Sequence, residues 1–87
     1  MVGAASWLLV DGERVGAECV NVSMGGASVF SEAKLALGSV VRFELSLGLD
    51  RGSVAIPCEV VRANNGEAGL RFIALDRPAL EAIVSLI

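Results

Sequence analysis

Eighty-seven residues suit one small domain spanning 1–87 with a single core, and a net charge of −3 with a pI near 4.7 excludes the basic face that nucleic-acid binders need. Apolar residues make up 54% of the chain and the mean hydropathy is +0.67, yet they fall in short runs broken by Gly and charge. No run nears the roughly 18 apolar residues of a membrane span, and the apolar first ten residues lack a basic n-region, so a soluble chain without a secretory leader is expected.

Residues 7–10 are β-prone and run straight into Asp11-Gly12, a hairpin turn signal because both positions tolerate positive φ. The return strand over 15–22 places Val15, Ala17 and Cys19 on one face and Gly16, Glu18 and Val20 on the other. Asn21-Val22-Ser23-Met24-Gly25-Gly26 then interrupts the ladder, and residues 27–30 resume it. Residues 31–38 form a connector too short for a packed helix, with Leu35 and Leu37 expected to tuck beneath it.

Residues 40–47 alternate most cleanly, with Val41, Phe43, Leu45 and Leu47 facing inward and Arg42, Glu44 and Ser46 outward. After a turn over 48–52, Val54, Ile56, Cys58 and Val60 form the next inward row, with Pro57 marking an edge position or a bulge. Asn64-Asn65-Gly66 reads as a second hairpin turn, and residues 68–73 form the last strand. Asp76 is placed to cap a helix, with Pro78 early in its first turn and Leu80, Ile83, Val84 and Ile87 forming one apolar stripe. A helix of about ten residues is unstable alone in water and must dock on the sheet. The expectation is an all-β chain with one short C-terminal helix, folded as a small six-stranded antiparallel β-barrel.

Catalysis is disfavoured. The chain has no His and no Tyr, so the usual proton shuttle near neutral pH is missing. Neither Ser23 nor Cys19 has a visible base, Asp11 and Glu13 sit in a turn, and Lys34 is the only lysine, with no Gly-rich phosphate loop before it. Cys19 and Cys58 lack C-x-x-C spacing, and with no histidine a zinc site would need carboxylates to complete it, which disfavours one. They read as two buried free thiols in a reducing compartment, with a disulfide between facing strands as the alternative.

The arginines (Arg14, Arg42, Arg51, Arg62, Arg71, Arg77) are scattered among carboxylates, the pattern of a solvated surface. Arg14 is expected to pair with Glu13 or Glu18, and Arg71 to face solvent opposite Leu70 and Phe72. Trp7, Leu35, Leu37, Leu86 and Ile87 are candidates for leftover apolar surface, which points to a homo-oligomer or a contact with a neighbouring domain.

The spelling N-x-S-x-x-G at 21–26, between a strand and an alternating apolar run, resembles the second signature motif of PilZ domains, bacterial receptors for cyclic di-GMP. Residues 35–45 resemble that family's loop and following strand, and Gly69-Leu70-Arg71-Phe72 before a short helix resembles its closing strand. The resemblance covers nearly the whole chain and implies a PilZ-like split barrel, a signalling role and the cytoplasm of a bacterium. It implies Asn21, Ser23 and Gly26 as contacts to cyclic di-GMP; the competing reading is that they only cap a turn.

The family also carries an R-x-x-x-R arm ahead of its first strand. Here the residues before Asn21 include one basic side chain, Arg14. Weak or no binding of cyclic di-GMP by this chain alone is therefore expected, with an arm on a neighbouring segment. The alternatives are a divergent PilZ domain that binds protein, and an unrelated small barrel with a structural role. No cofactor is expected.

Overall fold

The computed structural model describes residues 6–46 and 52–86, with side chains to Ser85. Six strands, β1 (Ser6–Val10), β2 (Glu13–Val22), β3 (Gly26–Ser31), β4 (Val40–Ser46), β5 (Ser53–Asn64) and β6 (Glu67–Phe72), precede one helix, α1 (Arg77–Leu86). They close into a barrel in the order β1-β2-β3-β6-β5-β4, with β4 returning to β1, and every pair is antiparallel. This is the six-stranded barrel with a short C-terminal helix that the strand pattern implies.

Both expected hairpin turns form where the chain can adopt positive φ. Asp11 and Gly12 take φ of 51° and 83°, and Asn65 and Gly66 take 52° and 84°, which suits the right-handed twist of the flanking strands. Residues 32–39 cross from β3 to β4, which are not neighbours. The Gly38 N–H donates to the Val60 carbonyl at 2.8 Å, and the Val60 N–H donates to the Ser39 carbonyl at 2.9 Å. Leu35 packs against the core as expected, whereas Leu37 stands 68% exposed because the same tight turn points it outward.

The inward rows match the parity reading. Leu8, Cys19, Val29, Val41, Phe43, Leu45, Ile56, Cys58, Val60, Leu70 and Phe72 meet in one core, with Phe43 and Phe72 stacked at 6.5 Å. Full burial of side chains this size contributes about 1.5–3 kcal/mol each. Both cysteines are buried free thiols. Leu47 and most of the turn over 48–52 lie outside the described residues.

Pro57 lies inside the barrel wall, paired with Arg42 of β4. Its carbonyl accepts the Ile73 N–H at 2.9 Å, so its backbone edge faces the side where β6 has already ended. Proline has no N–H to return to the Ile73 carbonyl, so the pair keeps one bond of two and the β5–β6 ladder stops at Phe72. The bulge in β5 is elsewhere, at Val61.

The helix is capped as expected. The Ala79 N–H donates to Asp76 Oδ1 at 3.0 Å, and the Leu80 N–H to the Asp76 carbonyl at 2.9 Å. Its buried face differs from the expected stripe. Ala79, Ala82 and Ile83 are buried, Leu80 is half-buried and Val84 is 57% exposed, while Ile87 lies outside the described residues. The two small alanines let the helix backbone approach β5 closely, so Ile83 enters the core and Val84 is rotated out.

Candidate functional site

Two β-bulges shape one side of the barrel wall. In β2 the pairing passes from Cys19↔Val29 to Asn21↔Ser28, leaving Val20 as the extra residue. In β5 it passes from Val60↔Leu70 to Arg62↔Gly69, leaving Val61 extra. Strict alternation from Cys19 and from Val60 would turn Asn21 and Arg62 into the core. One inserted residue in each strand turns both outward, which is how a bulge re-aims side chains. The bulges flank the β3–β6 pair, where Ser28 lies opposite Gly69.

Between them runs a groove of about 210 Å³, lined by Asn21, Ser23, Gly26, Ser28, Val61, Arg62 and Gly69 among others. The sequence-derived candidates Asn21, Ser23 and Gly26 therefore come together, but the structure gives them different work. Gly26 is a packing position, because a Cβ there would sit 2.1 Å from the Leu70 carbonyl oxygen. Ser23 holds the turn. Its N–H donates to the Gly26 carbonyl at 2.9 Å, while its hydroxyl makes two long contacts of 3.4 Å, one from the Gly25 N–H and one to the Gly26 carbonyl. Asn21 is exposed, and its amide has no hydrogen-bond partner among the described residues. Of the three, Asn21 is free to meet a ligand.

Arg62 and Ser28 are polar groove residues that motif reading missed. The Arg62 Nη2 donates to Ser28 Oγ and to Glu67 Oε1, both at 3.2 Å. The available signal was an arginine on a core parity, two residues after the buried Val60, which only a bulge reconciles.

Two other arginines near the motif in sequence or space are engaged elsewhere. Arg14 pairs with Glu44 at 3.3 Å, not with Glu13 or Glu18, and its guanidinium lies 4.0 Å from the Trp7 ring centroid. The cause is barrel closure. Trp7 is paired with Gly16 on one side and Glu44 on the other, so Arg14 and Glu44 meet across β1 over the indole. Trp7 is thereby half covered. Arg71 faces solvent as expected and bonds Glu59 through both Nε and Nη2.

A larger hollow of about 470 Å³ opens at the opposite rim, between residues 31–35 and the β5–β6 hairpin. It is lined by short apolar side chains and exposed polar ones, and no polar side chain is buried within it, so it offers no oriented chemistry. The thiols offer none either. Desolvation raises Cys58 from an ordinary 9.0 to about 12 and raises Cys19 as well, so both stay protonated at neutral pH. Among the described residues no group of three or more His, Cys, Asp or Glu could hold a metal ion, and no helix is long and apolar enough to cross a membrane.

A closed antiparallel barrel, with a polar turn at one rim and a groove beside it on the wall, is the frame of a small β-barrel binding domain. The PilZ domain profile matches residues 7–87, and the chain belongs to the PilZ family. That family consists of regulatory binding modules that generally act as receptors for cyclic di-GMP. Among solved structures, the crystal structure of the PilZ domain of CeSA from a cellulose-synthesizing bacterium matches with a TM-score of 0.71 and 23% identity, covering 100% of this chain and 92% of that one. That likeness is one of fold. No curated protein matches this chain.

Proposed function

We propose that this chain is a non-catalytic, cytoplasmic signalling module whose groove forms half of a cyclic di-GMP site, centred on Asn21 with Ser23 and Gly26 shaping the turn beside it. The observation that carries the reading is the Asn21 amide, turned outward by a bulge and without a partner among the described residues. A turn needed only for barrel closure has no use for it. The groove of about 210 Å³ is smaller than the roughly 300–1,000 Å³ of sites that enclose a ligand, so a dinucleotide bound there needs cover from another segment. Binding by this chain alone is accordingly weak or absent at micromolar ligand.

Titration of cyclic di-GMP to millimolar concentration against the amide resonances of the chain tests this. Shifts should cluster at residues 20–28 and 61–62, and Asn21→Ala should abolish them without disturbing the rest of the spectrum. Shifts confined to the opposite rim, or none at all, would remove the reading. A second reading, a module for protein contact or self-association, is favoured by Leu37, Val40 and Val84, which are 68%, 65% and 57% exposed.

A further inference from the structure

The groove lining holds one formal charge, and it is positive. Asn21, Val22, Ser23, Gly26, Ala27, Ser28, Val61, Gly69 and Leu70 are neutral, and Arg62 is the exception in a chain of net charge −3. We propose that Arg62 is the phosphate-gripping residue of this groove and that Glu67, reaching in from outside the lining, sets ligand affinity by competing for it. The proposal rests on the reading that the groove takes a cyclic dinucleotide.

Three features support it. First, Nη2 alone makes both of the internal contacts of Arg62, to Ser28 and to Glu67, so neither is a bidentate fork. The Nε and Nη1 donors have no acceptor among the described residues, and each two-donor edge of a guanidinium pairs one of them with Nη2, so a phosphate gains a fork only by taking Nη2 from Glu67. Second, the contact that holds it is easily broken. The Arg62 and Glu67 side chains are 56% and 42% exposed, and ion pairs that open to water are weak. Third, the guanidinium has a seat over Gly69 that brings it to Ser28, the ladder partner of Asn21. A Cβ on Gly69 would lie 3.2 Å from the Arg62 Cβ and 3.5 Å from its Cζ, so the side chain lies directly over the bare main chain of a glycine. A carboxylate and a phosphodiester offer this fork the same anionic oxygens, so ligand and Glu67 exclude each other from it.

Amide-resolved titrations of cyclic di-GMP into the unmodified chain, Glu67→Gln, Arg62→Gln and Asn21→Ala, at low and high salt, test the proposal. Glu67→Gln should tighten binding by about two- to fivefold. Arg62→Gln should weaken it by about tenfold or more and flatten its salt dependence. Unchanged affinity in both variants, with Asn21→Ala still weakened, would remove Arg62 and Glu67 from the site and leave the groove reading standing. No binding by any variant would remove both.

Discussion

Gly26, paired with Arg71, lies so close to Leu70 across β3 and β6 that a Cβ on Gly26 would lie 2.1 Å from the Leu70 carbonyl oxygen. No real Cβ tolerates that distance, and the obstacle is backbone in a closed barrel. Gly26→Ala should therefore cost about 3 kcal/mol or more, above the usual range for overpacking. Urea denaturation followed by circular dichroism measures this, and a loss below about 1 kcal/mol would show that the β3–β6 pair can part at no great expense.

The other two motif positions should behave differently in the same assay. Ser23→Ala removes only two hydroxyl contacts of 3.4 Å, so the loss should stay within about 1 kcal/mol. Asn21→Ala removes no internal bond and should leave stability within about 0.5 kcal/mol of the parent. A large loss for Asn21→Ala would mean that the amide supports the turn, which is the competing account of the motif.

Much of the barrel was legible because period-two alternation reports directly on which face is wet. Phe43, Ile56 and Cys58 all fell on the core as their parity required. Parity fails where a residue is inserted, and both bulges lie at the groove. The motif spelling located Asn21, Ser23 and Gly26, yet the side chain that carries the local charge, Arg62, is separated from them in sequence and joins them only through the β5–β6 and β3–β6 pairings. The pairing of Arg14 with Glu44 was illegible for the same reason, since it depends on closure of β4 onto β1. The helix face was misjudged because Ala79 and Ala82 add little to a hydrophobic stripe, while their small size decides which side can approach the barrel.

Burial of the Cys58 thiol makes stability depend on alkaline pH. Its pKa is pushed up to about 12 in the folded chain against an ordinary 9.0, so the folded state keeps the proton longer than the unfolded state does. The contribution is fully present below pH 9 and is lost as pH rises toward 12, at no more than about 1.4 kcal/mol per unit. Cys58→Ala should flatten the fall in urea midpoint between pH 9 and 10.5. In the parent, a thiol reagent should label neither Cys58 nor the equally sheltered Cys19 at neutral pH without denaturant.

Trp7 is the single tryptophan, so it reports on its own surroundings. With Arg14 4.0 Å above its ring, Arg14→Ala should shift its emission to the red by exposing the indole and cost about 0.5–1 kcal/mol. Because Arg14 lies at the far end of β2 from Asn21 and does not line the groove, cyclic di-GMP titrations of the variant should match the parent. A change in affinity would return Arg14 to the ligand site.

Joining an R-x-x-x-R segment ahead of Val2 tests whether the groove is half of a larger site. Ser6 pairs with Ala17, and β2 continues for five more residues to Val22, so the Ser6 end of β1 points toward the rim where the Ser23 turn sits. That span is about 17 Å of strand, within reach of an extended arm of five or six residues. Hydrogen bonds from arginine to phosphate are worth about 1.5–3 kcal/mol each, so two added arginines should improve the dissociation constant by about two to four decades. Calorimetric titration of cyclic di-GMP into the extended chain should show that gain, and Asn21→Ala in the same chain should reverse part of it while leaving the fold intact. Micromolar binding before the arm is joined would mean that Arg62 and Asn21 suffice. No gain on joining it would leave the groove as a surface of the barrel wall and favour the reading in which Leu37, Val40 and Val84 meet a protein.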